Sequence, residues 1–224
     1  MANTGTWWMR LVDLSHPVET GMQVFPGDPP VRTELAATVP QDGFQVSGLH
    51  LGTHSGTHVD APLHTVDGGA PVDTLDLLRL LGPARIVRVA GLKKTDTIRW
   101  TDVEAQLEEV APGDIVLFHT GWSRYFDTGA YLQHPVIEVL IAERLVAAGV
   151  TVIGVDTLNP DPTPGAGGVL DLPVHSVILG AGGAILENLT NLDAVTWPNP
   201  VVSALPLKLR GLDGSPVRAV ALEL

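Results

Sequence analysis

The chain contains no cysteine. Disulfide frameworks, thiolate nucleophiles, zinc fingers and thiolate-held iron–sulfur clusters are therefore excluded, and any metal must be held by histidine and carboxylate. Basic residues are scarce as well: 13 Lys and Arg stand against 25 Asp and Glu, for a formal net charge of -12. Nucleic acid and anionic membranes both need a cationic patch, so neither is expected as a partner, and the acidic excess reads first as an aid to solubility. Long hydrophobic runs are also missing. No window approaches the ~20 apolar residues that span a bilayer. Residues 1–14, with Trp7, Trp8 and an early Asp13, lack the basic start and apolar stretch of a signal peptide. A cytoplasmic protein is expected.

What is present suits one buried core. Of 224 residues, 45% are hydrophobic and 17% charged, and no linker divides the chain, so residues 1–224 read as a single domain. The 24 glycines and 18 prolines, spread throughout, predict many short elements joined by tight turns. Strands are expected at 10–15, 44–53, 85–90, 115–118, 151–155, 184–186, 203–209 and 218–224. Helices are expected at 72–81, at 101–110 behind a Thr101/Glu104 capping box, and at 137–148, where Gly149 stops an apolar face. Residues 159–172, rich in Pro, Gly and Asp, read as loop. The mixture predicts an α/β domain with a mixed sheet flanked by helices.

Four of the eight histidines fall in the segment His50-Leu51-Gly52-Thr53-His54-Ser55-Gly56-Thr57-His58-Val59-Asp60-Ala61-Pro62-Leu63-His64. Imidazole and carboxylate at alternate positions suit a divalent first-row cation such as zinc or manganese. In an extended backbone His58 and Asp60 point to the same face and can chelate one ion. His54 shares their parity, but four residues of straight strand span about 13 Å, so the chain must bend, and Gly56 is where it can. A helix would also bring His54 and His58 together, but Gly52, Thr53, Gly56, Thr57 and Val59 disfavour one. His64 reads either as a neighbour of the ligands or as a catalytic group. His16, His50, His119 and His134 read as structural, and Ser55 and Ser176, with no dedicated base, as packing residues.

The run from His54 to His64 resembles the signature of the bacterial cyclase-like metal hydrolases, a family that includes kynurenine formamidase and isatin hydrolase. Phe25-Pro26-Gly27-Asp28, Thr120-Gly121-Trp122, Gly154-Val155-Asp156, and the late His175 and Glu187 followed by Asn188-Leu189 extend the resemblance over most of the chain. It implies a swivelling β/β/α fold and a homo-oligomer, dimer or tetramer. It implies one or two Zn2+ ions, with Mn2+ as the other candidate: one held by His54, His58 and Asp60, a second by Asp60, His175 and Glu187, with Asp60 bridging and His64 shuttling protons. A carboxylate has the two oxygens that such a bridge needs.

The reaction implied is hydrolysis of a small aryl amide, foremost N-formylkynurenine. Phe25 stands where the family's formamidases carry a substrate-packing Trp, and its smaller face without an indole N–H keeps the opening of a cyclic amide such as isatin as the rival. Trp122 or Tyr125 could line the same pocket. Two readings from other classes remain. His58, Asp60 and His175 also fit the facial triad of a non-haem iron oxygenase, and a metal-stabilised binding protein would need no turnover.

Overall fold

Side chains that alternate in direction divide the central strands between two cores. Along Ile115–His119, Ile115 and Leu117 join one apolar cluster while Val116 and Phe118 join another. A strand covered on both faces therefore reads as an unbroken apolar run. The computed structural model describes residues 10–165 and 168–223; residues 1–9, with Trp7 and Trp8, lie outside them.

Among the described residues the elements run β1 (Arg10–Asp13), β2 (Arg32–Ala37), α1 (Val39–Asp42), β3 (Val46–His50), β4 (His58–Asp60), β5 (Leu81–Arg88), β6 (Thr97–Ile98), α2 (Trp100–Leu107) and β7 (Ile115–His119). They continue with β8 (Val136–Ile137), α3 (Val139–Ala147), β9 (Val152–Val155), α4 (Pro173–Gly180), β10 (Ala184–Glu187), β11 (Val201–Ser203), β12 (Gly214–Pro216) and β13 (Val220–Glu223). Nine strands form one mixed sheet in the order β1-β13-β11-β5-β7-β9-β10-β4-β12. The run β5-β7-β9-β10 is parallel and its flanks are antiparallel. Val59 of β4 and Ala221 of β13, near opposite ends of this order, share one core cluster, so the sheet curls around it. On the other face, Val103 and Leu107 of α2, Ile141 and Leu145 of α3, and Ile178 and Leu179 of α4 pack on Val116, Ile153 and Ile185. This is the α/β fold of a mixed sheet with flanking helices.

Several expected elements differ. Residues 72–81 are not one helix but two short 3-10 turns, Val72–Thr74 and Leu77–Arg79, followed by the start of β5. The Asp76 side chain accepts from Leu78 N at 3.0 Å and so begins a separate turn, which leaves Leu78 79% exposed. The strand expected at 203–209 ends at Ser203, and beyond it Pro206 makes only an isolated bridge to Val217, since proline offers no ladder donor. Helix α2 begins one residue earlier than Thr101. Its N-terminus is held by Asp102, which accepts from Arg99 N at 2.8 Å, rather than by a Thr101/Glu104 box. Helix α4 lies just beyond the expected loop and was not foreseen. Gly149 does end α3, with φ 83°, and a Cβ there would lie 2.9 Å from the Pro112 ring.

Candidate metal centre and cleft

Strand pairing assembles the floor of the site. β4 and β10 run antiparallel with His58 directly opposite Glu187. Val59 and Leu186 turn into the inner core, so His58, Asp60 and Glu187 project from the opposite face, beneath α4. Helix α4 sets His175 over them. His58 Nε2 lies 3.3 Å from Asp60 Oδ1 and 3.3 Å from Glu187 Oε2, while His175 Nε2 lies 3.6 Å from Asp60 Oδ2 and 3.2 Å from Glu187 Oε1. All four residues are buried. The floor sits at the carboxyl ends of the parallel strands, where open α/β sheets place their ligand crevices.

Gly56, with φ 63°, makes the bend that the His54–His58 spacing requires, and the two rings meet at 5.1 Å between centroids. No helix is involved. His54 Nδ1 approaches Asp60 Oδ1 at 2.7 Å. His64 follows Asp60 on a 3-10 turn, its ring 4.0 Å from that of His54, half-buried at the edge of the cleft. The grouping is broader than two separate triads, because His58 and His175 each touch both Asp60 and Glu187.

Charge and burial oppose each other here. Burial pushes the His58 imidazole down, yet the carboxylates of Asp60 and Glu187 together carry it up to about 10. His175 is raised likewise, against its burial, by Asp161, Asp60 and Glu187. Burial would raise Asp60, but His175, His54 and His58 hold it well below the usual carboxylate range. The buried carboxylates thus draw positive charge strongly.

A cation fits these residues. His58 Nε2, Asp60 Oδ2 and Glu187 Oε1 are buried without a hydrogen-bond partner, which ordinarily costs about 1–3 kcal/mol per group. Donors arranged tetrahedrally at ~2.1 Å from one ion stand roughly 3.4 Å apart. The contacts of 3.2–3.6 Å between these imidazoles and carboxylates match that spacing, and borderline nitrogen with hard oxygen suits zinc or manganese.

Above the floor opens a cleft of about 200 Å³, partly open to solvent, whose wall carries Phe25, Leu158, Leu170 and Leu172. Phe25 packs against a small cluster of Trp122, Tyr131 and Leu158. Trp122 and Tyr125 stand behind that wall, not on it. Asp28 also lines the cleft, and burial raises its carboxyl despite the nearby histidines.

Two carboxylates that the sequence did not mark stand behind the histidines. Asp161 accepts from Val174 N and His175 N, each at 3.0 Å, and from His175 Nδ1 at 2.7 Å. It therefore caps α4 and turns His175 Nε2 toward the floor. Asp213 faces His54 and His64. The remaining histidines have structural partners: His16 stacks on Phe126, His119 pairs with Arg88, His134 contacts Pro135 O and Thr163, and His50 lies near Glu34.

A curled mixed sheet whose strand ends carry a buried imidazole–carboxylate cluster below a cleft is the architecture of a metal-dependent enzyme. Residues 12–162 match the Cyclase family model, described as "Putative cyclase". The kynurenine formamidase of Delftia acidovorans is 36% identical over 216 residues, covering 94% of this chain and 96% of that protein. That of Salinibacter ruber is 36% identical over 219 residues, covering 95% and 97%. The crystal structure of an isatin hydrolase bound to the product analogue thioisatinate superposes with a TM-score of 0.86 at 25% identity, covering 96% of this chain and 92% of that one. The chain belongs to the cyclase family and is a hydrolase of its type.

Proposed function

We propose that this chain hydrolyses the C–N bond of a small aryl amide, acting foremost as an arylformamidase that converts N-formylkynurenine to kynurenine and formate. The observation that carries this reading is the buried set of unpaired ligand atoms from His58, Asp60 and Glu187, with His175 and His54 beside them and His64 at the mouth. His54, His58, Asp60, His175 and Glu187 would hold one or two Zn2+ or Mn2+ ions. A cation so bound supplies Lewis acidity and lowers the pKa of water toward ~7. Phe25 and the leucines of the wall hold the aromatic ring and exclude water around the scissile bond. His64 accepts a proton from the attacking water and returns it to the departing aniline nitrogen, so a neutral amine and formic acid leave, and the acid releases its proton to solvent as formate. No serine or cysteine is required.

The isatin hydrolase likeness supports a second reading, in which the same residues open a cyclic aryl amide to an amino acid. An oxygenase triad would leave His54 and Glu187 without a role. We take residues 1–224 as one working unit, cytoplasmic, and assembled as a homodimer or tetramer. Self-association is supported by the β2–β3 hairpin and the α1 turn beside it, where Leu35, Phe44 and Leu49 are each more than half exposed. Among the described residues no helix is long and apolar enough to cross a membrane.

The test is hydrolysis of N-formylkynurenine, formanilide and isatin by chelator-stripped protein reloaded with zinc or manganese, with and without oxygen. Metal-dependent turnover that persists anaerobically is expected, and His64→Ala should retain metal while losing about 10²–10⁴-fold in rate. Undiminished hydrolysis by metal-free protein would overturn the reading.

A further inference from the structure

We propose that Asp213 is a positioning residue whose carboxylate aims two histidines at once, fixing His64 with its proton on Nδ1 and His54 with its Nδ1 turned to Asp60. The inference rests on His64 being the proton carrier, and it adds what orients that ring.

Asp213 precedes β12 and is tied to the strand that carries Asp60. Its carbonyl accepts from Ala61 N at 2.9 Å, and the next residue, Gly214, lies opposite Asp60 in the sheet. From that fixed backbone the side chain reaches between the two imidazoles. Oδ2 lies 2.9 Å from His54 Nε2 and 3.4 Å from His64 Nδ1, while Oδ1 accepts from Thr53 Oγ1 at 3.0 Å. One oxygen is thus shared by two rings 4.0 Å apart.

An ionised carboxylate can only accept hydrogen bonds, so each nitrogen facing it must carry a hydrogen. A carboxyl group with the ordinary acidity of Asp is ionised at neutral pH, and the Thr53 hydroxyl donates to the other oxygen of Asp213. For neutral His64 the lone pair is then left on Nε2, on the other side of a ring that borders the cleft. His54 faces a carboxylate with each nitrogen, Nε2 toward Asp213 and Nδ1 toward Asp60 at 2.7 Å, so the bond to Asp213 leaves Nδ1 as the nitrogen that a cation beside Asp60 would take in place of a proton. A base needs the first arrangement and a metal ligand the second.

Gly214 gives an independent sign that this geometry is built in. A Cβ there would lie 2.8 Å from His54 Cε1 and 2.9 Å from Val59 O, so the His54 ring occupies the space that any other side chain would need. The ring lies between Asp213 and Asp60 because residue 214 has nothing to put there.

The experiment uses zinc-loaded full-length protein and reads the histidine ring nitrogens by 15N NMR, alongside turnover of formanilide and zinc affinity by chelator competition. Wild-type His64 is expected with Nδ1 protonated. Asp213→Asn, whose amide can also donate, should lose that preference and lower kcat about 100-fold while KM changes less than about threefold; zinc should bind roughly 10-fold more weakly through His54. Asp213→Glu, which restores the acceptor, should recover part of both. A wild-type His64 protonated on Nε2 overturns the inference whether or not the variants fold. An Asp213→Asn protein with wild-type kcat and tautomer overturns it as well. Failure of the functional reading looks different: His64→Ala would then retain its rate, whereas an inactive His64→Ala beside a fully active Asp213→Asn would sink this inference alone.

Discussion

Two networks of acids and bases in this protein have opposite designs. Near the chain ends, Arg218 forms a two-pronged bond to Asp13 at 2.7 and 2.8 Å, and Arg10 pairs with Glu223. These side chains are largely exposed, every acceptor has its donor, and solvent screens the pairs. On the floor of the cleft, Asp60 and Glu187 are buried beside His58 and His175, and ligand atoms are left without hydrogen bonds. The first network is complete within the protein, while the second leaves His58 Nε2, Asp60 Oδ2 and Glu187 Oε1 without partners. Unsatisfied buried groups persist where the surrounding structure holds them, and here β4, β10 and α4 do so.

The sharpest way to break this contrast is Asp60→Asn, which removes charge from the residue in contact with His54, His58 and His175. It should abolish metal retention after dialysis and lower turnover at least 10³-fold, as read by metal analysis and formanilide assay. Asp161→Asn comes next. It weakens the α4 cap and frees His175 to rotate, so zinc affinity should fall about 10- to 100-fold and unfolding free energy by about 1–2 kcal/mol, read by chelator competition and urea melts.

His16 sharpens the contrast through pH. Burial against Phe126 lowers it from 6.5 to about 4, with no charged partner to compensate. Between those values the unfolded chain binds a proton that the folded chain refuses, so stability must fall as pH drops from about 6.5 to about 4 and level off below. His16→Phe should flatten that part of the profile, measured by urea melts against wild type. The smallest effect is expected at the rim: Arg218→Ala should leave metal content and turnover unchanged and displace the melting temperature barely, less still in high salt.

The sequence revealed the site more fully than the scaffold. His54, Gly56, His58 and Asp60 were legible because their contacts are local, determined by strand parity and one turn. Glu187 and His175 could be named only through resemblance, since nothing near them indicates that β10 pairs with β4 or that α4 covers both. Helix α4 itself was missed because its cap is Asp161, distant in sequence, while Leu172 holds the usual capping position. Asp213 was missed for the same reason, being isolated in sequence and meeting the histidines only through the β12–β4 pairing. The failed helix at 72–81 shows the converse. Leucine spacing suggested a buried face, but the Asp76 turn intervened, and Leu77 and Leu78 point outward.

The pairing of β4 with β10 has a consequence for the order of assembly. During synthesis the histidine-rich turn emerges long before α4 and β10 exist, so a chelating arm is available early, loose and open to water. Capture can therefore precede enclosure, which waits until Glu187 docks opposite His58. Once that has happened, a bound ion would still face the cleft, so its exchange should run through that opening and be slowed by the contacts that the late α4 and β10 add.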